Sequence, residues 1–172
     1  MAQLEQRLWQ SFRSSFRGPI LRAGDAEYDG ARKIWNGLRD QLPLAILRCT
    51  GVADVTAAIG FARDHGLAAA VRGGGHSIAG HGVCSGGVVI DLSLMHQVHV
   101  SPEHRSARAA GGATWGDFDH ETQLFSFGAP GGLISSTGVA GLTMGGGMGW
   151  LSRKYGMSCD QLEAVEMVTA QG

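Results

Sequence analysis

Apolar residues recur at every fourth position at the start of the chain, at Leu4, Leu8, Phe12 and Phe16. That spacing keeps one helix face apolar and predicts an amphipathic helix. Residues 17–43 hold no sustained period and read as irregular. LAILRCT (44–50) is a short continuous apolar run and predicts a buried strand. ADVTAAIGFARDHG (53–66) returns to helical spacing, with Val55, Ile59 and Ala62 on the inner face. Gly66 stands where a helix end takes a left-handed residue. LAAAV (67–71) and GGVVIDLS (86–93) predict two further strands, and alternation in QVHVS and RSARAAG predicts a hairpin over 97–112. TWGDFDHETQLFSFG (114–128) predicts a helix ending at Gly128, with Trp115, Phe118 and Leu124 partly buried. SCDQLEAVEMVTAQG (158–172) predicts a strand heading into a turn. Strand–helix–strand is an α/β unit, and such sheets bind ligands beyond the carboxyl ends of their strands.

Glycine changes this picture. The chain holds 28 glycines in 172 residues, against a usual share of about 7%. The excess lies in two segments. VRGGGHSIAGHG (71–82) directly follows a predicted strand. APGGLISSTGVAGLTMGGGMGWLS (129–152) carries no charge. A membrane span fits the second poorly, because glycine, Ser/Thr and proline interrupt it. No Walker loop occurs, and GGGMG is neither a GxGxxG fingerprint nor followed by its acidic residue. A flexible linker would not leave Leu133, Ile134, Val139, Leu142, Met144 and Trp150 in water. The remaining reading is a packed loop running along a large ligand and touching it through the main chain. Amides of a glycine-rich nest favour a diphosphate or a carbonyl edge, and Arg72 could add charge-assisted contacts. Two such loops suit a ligand as long as a dinucleotide.

Composition narrows the classes. At 44% hydrophobic and 17% charged, the chain can build a core, as one domain or part of one. A net charge of -1 with no basic cluster argues against nucleic acid and membrane partners. Cys49, Cys84 and Cys159 form no CxxC pair, so neither a disulfide framework nor a zinc ribbon is expected, and Cys84 and Cys159 read as ordinary buried thiols. No apolar signal core opens the chain, so a cytoplasmic location is the expectation. His76, His81 and Cys84 lack a second ligand pair, so no metal site is expected. His96, His99 and His104 flank the hairpin and read as surface residues. His76 differs, because it follows a strand end and three glycines. A ring nitrogen held there can act as a nucleophile.

VRGGGHSIAG, GGVVIDLS, PGGLISSTGVAGLTMGGGMGWLSRKYGMSCDQL and EMVTAQG occur in this order. Together they resemble the FAD-binding (PCMH-type) domain of the vanillyl-alcohol-oxidase and p-cresol-methylhydroxylase flavoproteins, on the berberine-bridge-enzyme-like branch. The resemblance implies an α+β fold of two small α/β subdomains, incomplete at the C-terminus. It divides the chain into an N-terminal helical extension (1–27) and the FAD-binding domain (28–172). It implies FAD as cofactor, contacted by Arg72, Gly73, Gly74, Gly75, His76, Ser77, Thr137, Gly138, Gly141 and Gly145. His76 corresponds to the histidine that such proteins link covalently to the flavin. Some relatives add a second link through cysteine, and Ile134 stands at that position, so a single attachment is expected.

Two departures qualify what the resemblance implies. Gln171 replaces the family's usual aspartate, and the family's later substrate domain has no counterpart in these 172 residues. The expected function is the FAD module of an oxidoreductase that takes hydride from an alcohol- or sugar-like substrate. That small-molecule substrate would bind only with the further domain, and no catalytic residue is assigned. Two other readings stand beside it: a non-catalytic remnant that does not bind FAD, and an unrelated phosphate-binding α/β module. The last leaves the second glycine segment unexplained.

Overall fold

The computed structural model describes residues 2–172, with side-chain burial from Trp9 onward. Helix α1 spans Ala2–Ser15. The side chains of Leu4 and Leu8 lie outside the described residues; Phe12 and Phe16 are buried, together with Trp9. Phe12 and Trp9 meet Phe61 of α3 (Val52–Asp64), with centroids 4.4 and 4.9 Å away, and Phe16 stacks on Phe12. Aromatic packing of this kind adds to simple area burial. It also sets which face of α3 turns inward. Ala58, Phe61 and Ala62 are buried, whereas Val55 and Ile59 sit at the margin of the core. The helix ends as expected: Gly66 takes φ +61°, its amide donates to Arg63 O, and Leu67 N donates to Ala62 O. This is a Schellman ending.

Four strands form the main sheet: β1 (Ile20–Leu21), β2 (Ala45–Arg48), β3 (Ala69–Arg72) and β4 (Val88–Asp91). Their order is β1-β2-β4-β3, with β2 and β3 parallel to β4 and β1 antiparallel at the edge. β2 and β4 read as unbroken apolar runs because both sheet faces are covered. Ala45, Leu47, Val88 and Ile90 face α1 and α3, while Ile46 and Val89 face Leu21, Tyr28 and Val83. Tyr28 opens a one-turn helix, α2 (Tyr28–Ala31), and its hydroxyl donates to Pro43 O. The stretch 17–43 is therefore not wholly irregular; β1 and α2 are too short to leave a periodic signature.

A second unit follows. β5 (Val98–Ser101) and β6 (Ser106–Ala109) form the expected antiparallel hairpin, and α4 (Trp115–Thr122) packs beside it. Thr114 caps α4: it accepts from Asp117 N, while the Asp117 carboxylate accepts from Thr114 N and its hydroxyl. Burial pushes the Asp117 carboxyl up, but these bonds outweigh it and hold the group below its ordinary value. Thr114→Ala is expected to lower stability by about 1 kcal/mol in urea unfolding.

The helical stretch stops before Gly128. A short 3-10 turn (Gln123–Phe125) ends at Ser126, whose φ of +56° no helix continues. Leu124 is consequently 70% exposed rather than partly buried. Two short helices complete the chain, α5 (Val139–Met144) and α6 (Ser152–Tyr155). The expected final strand is absent: after a 3-10 turn at Ser158–Gln161, residues 162–172 pair with no strand among the described residues. A strand needs a neighbour's open edge. This segment is instead held by an Arg108–Glu166 ion pair and by Arg63 Nη1 donating to Gln171 O. No helix among the described residues is long and apolar enough to cross a membrane.

Candidate functional site

β3 ends at Arg72, and the triple glycine leaves the carboxyl end of the parallel sheet. Gly74 meets the second glycine segment backbone to backbone. A Cβ on Gly74 would lie 2.3 Å from Gly138 N and 2.6 Å from its Cα, and a Cβ on Gly138 would lie 2.5 Å from Gly74 N. Only hydrogen fits on either side. Gly73 abuts Gly111 O in the same way, and Gly75 takes φ +72°, a conformation strained for any other residue. The second segment is fixed from below by the start of α4. Trp115 N and Gly116 N donate to Thr137 O and Ser135 O, and Val139 N donates to Ala113 O.

His76 lies between the two segments. Its Nε2 is 3.0 Å from Ser136 Oγ, and its Nδ1 is 3.4 Å from Thr137 Oγ1. Around it, the amides of Gly74, Gly75, His76 and Ser77 donate to no acceptor among the described residues. Free amides on a glycine-rich loop suit an anionic or carbonyl oxygen. The Ser77 hydroxyl accepts from His81 N at 3.0 Å, which leaves its own proton to donate.

Arg72 passes beside Gly75, its Nε 3.4 Å from where a Cβ there would stand. Its Nη1 donates to Ala31 O, its Nε is buried without a partner, and it lines a cleft of about 320 Å³ with Arg48, Asp91, Glu27 and Ser93. Gly141 lies within α5, where a Cβ would meet no protein atom within 4 Å. Gly145 caps α5, with only ordinary contacts of 3.5 Å around its Cβ position. The structure thus draws Gly74, His76, Thr137 and Gly138 into one cluster, with Gly73, Gly75 and Ser77 beside them. Protein packing demands glycine at neither Gly141 nor Gly145.

Some side chains depart from expectation. Leu133, Ile134, Met144 and Trp150 are exposed, the last by 85%, while Val139 and Leu142 are half-buried. The second segment packs through its glycines, at Gly138 on Gly74 and at Gly149 on Gly131 O, and this turns its large side chains outward. Cys159 is exposed and Cys84 half-buried; the buried thiol is Cys49, which burial pushes up to about 12. Two site residues escaped the sequence reading. Ser136 holds the His76 ring, and Trp35 stacks on it with centroids 5.6 Å apart. The only sequence signal for Trp35 is the turn-forming Asn-Gly that follows it.

Known proteins share this fold. The family model described as an FAD binding domain matches residues 43–172. The chain is 36% identical over 158 residues to (R)-6-hydroxynicotine oxidase of Paenarthrobacter nicotinovorans, covering 92% of this chain and 34% of that protein. The crystal structure of 6-hydroxy-D-nicotine oxidase from Arthrobacter nicotinovorans superposes with a TM-score of 0.83 at 36% identity, over 85% of this chain and 32% of that one. Physcomitrella patens BBE-like 1 gives 0.81 at 30% identity, over 89% and 34%. The chain belongs to the FAD-binding domain family of FAD-linked oxidoreductases, on the berberine-bridge-enzyme-like branch of the PCMH-type flavoproteins. It spans about a third of the length of the relatives it matches.

Proposed function

We propose that this chain forms the FAD cradle of a flavin-linked oxidoreductase acting on a small alcohol- or sugar-like molecule. The carrying observation is the Gly74–Gly138 contact, which joins two glycine segments around His76 and leaves four neighbouring amides without acceptors. The residues fit the cofactor. The free amides of Gly74, Gly75, His76 and Ser77 suit a diphosphate, and the open side of Gly141 leaves room for a flat ring system. Gly73, Thr137, Gly138 and Gly145 would complete the cradle. Arg72 would add a positive charge from the strand end, where its guanidinium lies beside Gly75 and its buried Nε has no partner. His76 would tether the flavin by a single covalent link, a ring nitrogen replacing one hydrogen on the flavin 8α carbon while oxygen takes up the two electrons and two protons released; Ile134 offers no second nucleophile. Bound FAD would accept a hydride from the substrate and pass electrons to oxygen or another acceptor. The substrate wall and proton-transfer groups would come from sequence corresponding to the remainder of the relatives. A cytoplasmic setting accords with the unpaired thiols.

Acid precipitation, after incubation with FAD and removal of unbound cofactor by gel filtration, tests this reading. Wild-type chain is expected to carry flavin into the pellet, and His76→Ala to release it to the supernatant. Flavin in both supernatants withdraws the tether and keeps the cradle. Flavin bound by neither protein overturns the proposal.

A further inference from the structure

Trp35 lies outside both glycine segments, yet it touches the first one twice. Its amide donates to Gly75 O at 3.0 Å, and its indole stacks on His76 with planes 21° apart. Asn36 extends the contact. Its Nδ2 donates to Ile78 O at 2.7 Å while its Oδ1 accepts from Leu38 N, which closes an asparagine-initiated turn. The aliphatic stem of Arg39 then lies against Gly80, where a Cβ would come within 2.8 Å of it. Residues 35–39 thus form a strap across the outside of the loop.

The indole is 65% exposed and belongs to neither buried core. Core packing therefore does not account for a tryptophan here. Its contact with the imidazole does. A histidine ring turns in a broad, two-fold torsional well. Ser136 and Thr137 hold its two nitrogens on one side, at 3.0 and 3.4 Å. Those hydroxyls can follow a rocking ring, whereas a stacked indole resists its tilt.

We infer that Trp35 is a positioning residue for His76: the indole fixes the imidazole plane, and the strap holds residues 75–78 against the segment carrying Ser136 and Thr137. The consequence for flavin attachment rests on the cradle reading above. The ring-ordering itself does not.

Two measurements on the full chain separate these. The first is the rate at which flavin becomes acid-precipitable during incubation with FAD, in wild type, Trp35→Phe and Trp35→Leu. The second is the relaxation-derived order of the His76 ring by NMR in the same three proteins without FAD. Leucine keeps the amide bond and apolar bulk but removes the stack. Trp35→Leu is expected to slow attachment roughly 2- to 10-fold, the range a stacked aromatic pair supplies, with an unchanged urea midpoint. Trp35→Phe is expected to restore most of the rate, and ring order should follow the same ranking. Equal rates in all three proteins, or an equally ordered ring in Trp35→Leu, overturn the inference. If wild type takes up no flavin, the cradle reading fails, and ring order alone decides: loss in Trp35→Leu with recovery in Trp35→Phe supports the positioning role.

Discussion

Gly74→Ala is expected to destabilise the chain by about 3 kcal/mol and to abolish flavin retention. The methyl would enter at 2.3 Å from Gly138 N and 2.6 Å from Gly138 Cα. Both are backbone atoms, so no side chain can swing aside. Relief requires the first glycine loop to move away from the segment that α4 anchors through Trp115 and Gly116. Urea unfolding reads the stability, and acid-precipitable flavin reads the site. Gly141 is the matched control. Its Cβ position is empty, and it lies inside α5, so Gly141→Ala should leave stability unchanged or raise it by about 0.5 kcal/mol. A larger side chain, as in Gly141→Leu, should still fold yet weaken FAD binding about tenfold, equivalent to 1.4 kcal/mol of steric cost. Full FAD affinity in a folded Gly141→Leu protein would move the ligand off α5 and sink that part of the cradle.

Asp54→Ala is the second large loss, expected at about 2–4 kcal/mol because buried donors lose their acceptor. Asp54 is 2% exposed and accepts from Arg17 N, Thr50 N and Thr50 Oγ1. It ties the end of α1 and the end of β2 to the first turn of α3. Burial raises its pKa, but the hydrogen bonds from Arg17 and Thr50 prevail and hold it below the ordinary 3.8. The sign follows. A carboxyl with a depressed folded pKa contributes fully above its unfolded value, and that contribution is lost as pH falls through the folded one. Urea midpoints measured from about pH 5 down to about pH 2 should therefore fall more steeply in wild type than in Asp54→Asn. Parallel acid limbs in the two proteins would remove Asp54 from this role.

Much of the fold was readable along the chain. β2 and β4 announced themselves as unbroken apolar runs because both of their faces are covered. The end of α3 was legible because Gly66 is a left-handed residue in the place a helix end requires. Elements that depend on a distant partner were not legible. The segment after Gln161 has strand-like composition, but it pairs with no strand among the described residues. The inner face of α3 was displaced by the α1 aromatics meeting Phe61, a contact that no local period encodes.

The site divides in the same way. The amino-acid order by itself determined that two glycine-rich segments and one histidine lie at the end of an α/β unit, because bare backbone and strand-end position are local properties. The tertiary structure alone decided that Gly74 and Gly138 touch, that Ser136 and Thr137 hold the His76 nitrogens, and that Trp35 covers its ring. Those contacts join residues from separate segments. They arise only when α4 fixes the second segment and the 35–39 strap fixes the first, which periodicity cannot express.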